Sequence, residues 1–93
     1  MFVHLVFFKF KDLGDREEAK RRLESMRGRI DVLRSVEVGI DVVGGKSSWD
    51  LVLDARFDDR AALDVYAVDP VHREVVSWLK TVISQKGTVD YQL

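Results

Sequence analysis

Cysteine is absent from the 93 residues, and proline occurs once. Without thiols there is no disulfide framework, no thiolate nucleophile and no cysteine-based zinc site. No apolar run is longer than Leu5 to Phe8, far short of the ~20 residues a membrane-crossing helix needs. Neither sign of charge dominates, since 15 Lys and Arg stand against 16 Asp and Glu for a net charge of −1. A dedicated nucleic-acid binder normally carries a clear basic excess, so neither nucleic acid nor membrane is expected as a partner. The N-terminal stretch has no positive region and no small-residue cleavage site after an apolar core, so a cytoplasmic protein is expected.

What is present is ordinary for a packed domain: 46% apolar and 33% charged residues. The length suits one domain over residues 1–93, with an adequate but thin core. Phe2 to Lys11 is rich in β-branched and aromatic residues and reads as a strand. Phe2, His4, Val6, Phe8 and Phe10 point to one side and Val3, Leu5 and Phe7 to the other, so both faces are apolar. Asp15 with Glu18 resembles a capping box, and Ala19, Leu23, Met26, Ile30 and Leu33 then recur at helical spacing. Gly28 lies within that stretch and weakens a helix there.

Val36, Val38, Ile40 and Val42 alternate with polar residues as a half-buried strand that ends near Val43. After the flexible Gly44 to Ser48 turn the alternation resumes, with Trp49, Leu51, Leu53, Ala55 and Phe57 on one side. Asp58 or Asp59 can cap a helix through Ala62, Leu63, Val65 and Tyr66. Asp69-Pro70 starts another, because Pro at a first helical position gives up an amide that has no intrahelical partner. Val71, Val75, Trp78, Leu79, Val82 and Ile83 carry it to an expected end at Lys86-Gly87, and Thr88 to Leu93 forms a last strand.

The order β-α-β-β-α-β at this size is the ferredoxin-like arrangement, an α+β fold with a four-stranded antiparallel sheet covered by helices on one face. The uncovered face carries Val3, Leu5, Phe7 and Val52. Contiguous apolar area of that kind marks an interaction surface, so a homodimer joined sheet to sheet is expected.

The chain resembles the stress-responsive dimeric α/β-barrel (Dabb) family. The matching pieces are Val3 to Lys11, Val36 to Asp41, Trp49 to Asp59, Tyr66 to His72 and Val89-Asp90-Tyr91, which together span nearly the whole chain. The resemblance implies the fold above, paired face to face as a dimeric α/β barrel. One plant member is a cofactor-independent polyketide cyclase that performs an intramolecular aldol condensation on a polyketide thioester. Its catalytic Tyr and His fall on Tyr66 and His72, and a further pocket His falls on His4. Another of its pocket histidines meets Leu51, and Asp69 stands where the family often has His before Pro.

His4 and His72 are the only histidines. If both open onto one pocket, a neutral imidazole can take a proton beside a carbonyl, and a Tyr66 hydroxyl beside the His72 ring can stabilise the developing enolate. The competing structural reading makes His4 a satisfied buried residue and His72 part of a helix start. Phe8, Leu51, Leu53 and Trp78 are expected to line a chiefly apolar pocket suited to a small apolar ligand, with no cofactor. Gly44-Gly45-Lys46-Ser47 is not a phosphate loop, because that motif needs glycine where Ile40 stands and a helix where a strand follows. The acidic residues lack Ca²⁺-loop spacing, so no metal is expected, and Lys20-Arg21-Arg22 beside Glu17, Glu18 and Glu24 reads as a solvated helix face. The sequence and the resemblance leave three functions standing. The first is a ligand-binding dimer of the Dabb type, and the second an enzyme using His/Tyr acid–base chemistry on a carbonyl substrate. The third, ranked last because no residue singles it out, is an oxygenase like other dimeric α/β-barrel proteins that act on haem or quinols.

Overall fold

A strand that is apolar on both sides gains most from a central place in a sheet, and Phe2–Phe10 (β1) takes it. The computed structural model describes residues 1–93. In it β1 pairs antiparallel with Leu51–Phe57 (β3) on one side and Ile83–Gln92 (β4) on the other. Ser35–Ile40 (β2) pairs with β3, which gives the four-stranded order β2-β3-β1-β4. The helices are Arg16–Glu24 (α1), Arg60–Val68 (α2) and Pro70–Val82 (α3). This is the ferredoxin-like α+β fold.

One continuous core joins Phe2, Val6, Phe8 and Phe10 of β1 and Leu53 and Phe57 of β3 to the helices, through Ala19, Leu23, Tyr66, Val75 and Leu79. Each large apolar side chain buried there contributes about 1.5–3 kcal/mol. Asp59 caps α2 by accepting from the Ala62 amide at 2.9 Å, and Asp69 caps α3 by accepting from the Val71 amide at 2.8 Å. Asp58 is free for another partner and meets Arg34 at 2.8 Å. None of the helices is long and apolar enough to cross a membrane.

Four local expectations are corrected. Asp15 makes no capping bond, and Glu18 pairs with Arg21 and Arg22 instead of closing a capping box. The first helix stops at Glu24, and the rest of its apolar stripe (Met26, Ile30 and Leu33) stays buried from a run of turns. Gly28 permits that path with a φ of 78°, a left-handed conformation that costs other residues energy. β2 ends at Ile40, leaving Val42 and Val43 exposed, and β3 begins at Leu51. Trp49 therefore escapes the alternation, and its ring lies on the uncovered sheet face, 6.2 Å from that of Phe7. A β-carbon on Gly87 would sit 3.5 Å from that indole.

The fourth correction concerns the last helix. α3 ends at Val82, and the chain turns straight into β4 with Ile83 already extended. Lys86-Gly87 is not a helix end, because Lys86 pairs with Phe8 and Gly87 with Phe7 inside the sheet. A backbone ladder along all of β1 outweighs the local stop signal.

The left-handed turn gives a direct test. Gly28→Ala should lower stability by roughly 1 kcal/mol, the cost of a Cβ in that conformation. Gly45→Ala, at a glycine without positive φ, should cause no loss. Urea denaturation of the two variants checks the contrast.

Candidate functional site

The break at Asp69-Pro70 folds α3 back from α2, and that bend brings the last turn of α2 against the first turn of α3. Tyr66 lies on one side of it and His72 on the other, with ring centroids 4.1 Å apart. His4 approaches from β1, edge-on to Tyr66 at 6.2 Å. The Tyr66 ring thus touches both imidazoles. Phe57 supports it from beneath at 5.0 Å.

His4, Tyr66 and His72 line a cavity of about 320 Å³ between helices and sheet. Its walls are mainly apolar and include Val6, Phe8, Leu53, Val75 and Leu79. His4, Tyr66, His72, Phe8 and Leu53 therefore meet at one cavity. Leu51 and Trp78 do not line it. Leu51 is buried among the core residues, and Trp78 packs against the edge of the core with the Arg22 guanidinium 4.4 Å over its ring. No group of three or more His, Asp or Glu converges in a way that would hold a metal ion.

Each imidazole has one nitrogen fixed. The Ala67 carbonyl lies 3.2 Å from His72 Nδ1 and can only accept, so Nδ1 carries the hydrogen and Nε2 is left bare. His4 Nδ1 bonds to the Asp90 carboxylate, which again leaves Nε2 as the open ring nitrogen. Burial pushes the His72 pKa below its ordinary value, and the Ala67 carbonyl offsets this only in part. The ring is therefore neutral at pH 7, the state a proton acceptor requires.

Tyr66 differs from the expectation. It is only 1% exposed, and its hydroxyl points at the Met26 sulfur, 3.8 Å away, not at the His72 ring. Burial raises its pKa, so the hydroxyl stays protonated, with a weak acceptor as its partner. In this geometry Tyr66 acts on the histidines by ring packing.

Sequence reasoning missed Asp90, Lys80 and Lys86. Asp90 stands opposite His4, and Lys86 opposite Phe8, in the β1–β4 register. The alternation of Lys86, Thr88 and Asp90 against Gly87, Val89 and Tyr91 carries that signal, but only once β4 is known to start at Ile83.

A four-stranded antiparallel sheet with helices on one face and an apolar cavity between the layers defines a ferredoxin-like protein with an internal pocket. The chain belongs to the family described as the stress responsive A/B barrel domain (Dabb), whose model matches residues 2–93. Comparison with curated proteins gives no match. Among solved structures, it is similar to a dimeric protein of unknown function with a ferredoxin-like fold from Bacteroides fragilis. The TM-score is 0.88 at 27% identity, covering 99% of this chain and 95% of that one. A dimeric ferredoxin-like protein of unknown function from a Jannaschia species gives 0.81 at 25% identity, covering 99% and 98%. A hydroxynitrile lyase from Passiflora edulis shares the fold at 0.84 but only 11% identity, covering 99% and 92%.

The neutral state of His72 can be tested by its linkage to folding. The unfolded chain titrates this ring near about pH 6.5, and burial sets the folded value lower. Its stabilising effect is complete above about pH 6.5 and is lost as pH falls toward the folded value, because the unfolded chain takes up the proton first. In urea melts between about pH 8 and 5, the wild type should weaken more than His72→Gln below about pH 6.5. Parallel curves would refute the assignment.

Proposed function

We propose that this chain is a homodimeric binding protein that holds a small, largely apolar molecule between its helices and its sheet. The observation that carries the reading is the roughly 320 Å³ cavity, mainly apolar along its walls, with His4 and His72 among its polar lining residues. Small-molecule sites have this construction, an apolar enclosure with a few polar groups that fix orientation. The two imidazoles suit a carbonyl or hydroxyl oxygen on the ligand.

Pairing through the uncovered sheet face completes the molecule. Leu5, Phe7, Val52, Val89 and Tyr91 lie on that face, with Val89 51% and Tyr91 39% exposed. The face also carries charge, with Glu37 opposite Asp54 and Lys9 two residues beyond Phe7, but three of its charged groups have partners within the chain. Asp54 and Arg56 meet each other at 3.1 Å, and the Asp50 carboxylate accepts the Phe10 amide at 2.8 Å. The Bacteroides and Jannaschia proteins, described as dimeric, support the same reading. In sedimentation at micromolar concentration the wild type should run as a dimer, and Leu5→Asp combined with Phe7→Asp as a monomer. A monomeric wild type ends this part of the proposal.

A second reading is a cofactor-independent enzyme acting on a carbonyl or polyketide-like substrate. The open Nε2 of His72 favours it as base, with His4 oriented by Asp90 much as a carboxylate orients a catalytic imidazole. Tyr66, with its hydroxyl on Met26, packs the base and donates no bond to an enolate in this geometry. Calorimetry and turnover assays with a panel of apolar carbonyl compounds separate the two readings. Binding that Val76→Trp abolishes by filling the cavity, with circular dichroism unchanged, is the expected outcome. Failure of every compound to bind, or binding that ignores Val76→Trp, sinks both readings. Turnover lost in His72→Ala while binding survives would favour the enzyme.

A further inference from the structure

The charges on the cavity lining are not balanced. Its acidic side chain, Asp64, is held 2.6 Å from Arg60 one turn away on α2. Asp90, beside the lining, bonds to His4 and to neither lysine. Lys80 and Lys86 also line the cavity, and neither belongs to any ion pair in the molecule. They come from two elements that meet at a corner without a loop, since α3 ends at Val82 and β4 begins at Ile83. Lys86 stands opposite Phe8 and so shares the face that looks into the cavity. The enclosure is therefore mainly apolar, with His4 and His72 on its lining together with two lysines that join no ion pair, one late in α3 and one three residues past the start of β4.

We propose that the ligand of this pocket is an amphiphilic acid: a single carboxylate held by Lys80 and Lys86, with an apolar tail along Val6, Phe8, Leu53, Val75 and Leu79. The inference rests on the binding reading above and narrows it to a ligand class. Flexible lysine stems bury their methylenes against apolar walls while the ammonium meets the anion in water-accessible space. At roughly 30 Å³, the volume one water occupies in the liquid, the cavity takes about ten groups of that size, enough for a medium-chain acid. Two screened ion pairs at a half-open rim are worth roughly threefold each in affinity, so about tenfold together.

The test uses the full chain and three probes of matched tail: decanoate, 1-decanol and decylamine, each titrated below its aggregation limit by calorimetry. Decanoate should bind about tenfold more tightly than decanol, and decylamine most weakly. Lys80→Gln combined with Lys86→Gln should bring decanoate down to the decanol level and leave decanol unchanged. Because both lysines reach the surface, the variant is expected to fold, and decanol binding itself reports an intact cavity. Decanol binding as tightly as decanoate, or decanoate indifferent to the double substitution, overturns the acid assignment while the pocket reading stands. If no probe binds, both fall together.

Discussion

β1 presents large apolar side chains on both faces, yet the helices of one short chain can cover only one face of its sheet. Phe2, Val6, Phe8 and Phe10 are satisfied by α1, α2 and α3, whereas Leu5 and Phe7 remain half-buried on the other side. The rest of the molecule follows from that asymmetry. The covered face is thick enough to hold a core and, where α2 and α3 bend apart at Asp69-Pro70, a cavity. The uncovered face keeps Leu5, Phe7 and Val52 beside charged groups: Asp54 and Arg56 satisfy each other, Asp50 is drawn to the end of β1, and Glu37 and Lys9 have no ion-pair partner. Val3 is already completely buried on that side, flanked in register by Arg56 and Tyr91. An arginine stem and a tyrosine ring can shield apolar surface while keeping their polar ends wet.

The chemistry of the cavity is set by backbone geometry more than by the identity of its residues. The helix break sets the approach of Tyr66 and His72, and the β1–β4 register sets Asp90 against His4. Each imidazole has Nδ1 committed to a protein acceptor. That arrangement serves a ligand's hydrogen bond and a proton transfer equally well, which is why one constellation supports a binding reading and a catalytic one. The Tyr66 hydroxyl tilts the balance toward binding. It is buried on Met26, and a hydroxyl aimed into the core cannot follow charge that develops in the cavity.

Much of this was legible in the chain itself, and the illegible parts share a cause. Strand alternation, the Asp59 and Asp69 caps and the single proline are local signals, and they locate the elements and the helix break. The extent of α3 is not local. Lys86-Gly87 looks like a helix end until β1 offers a ladder that reaches back to Ile83. Trp49 looks like the first inward residue of β3, but the strand starts two residues later and the ring crosses to the opposite face. The expected pocket residues divide the same way. Phe8 and Leu53 alternate inward beneath the cavity, while Leu51 sits further along β3 and Trp78 turns to the edge of α3 beneath Arg22. Direction in space is decided by neighbours far apart in sequence, and the places of Asp90 and Lys86 at the cavity went unseen for that reason.

β4 has a double allegiance. Lys86 and Thr88 look into the cavity, with Asp90 bonded to His4 at its margin, while the intervening Val89 and Tyr91 look outward from the bare side of the sheet. The strand is also an outer one, tethered along a single flank and continuous with α3. On the proposed reading, a guest and a partner sheet would contact opposite sides of one ribbon. Any coupling free energy between the two binding events would then be the same in both directions.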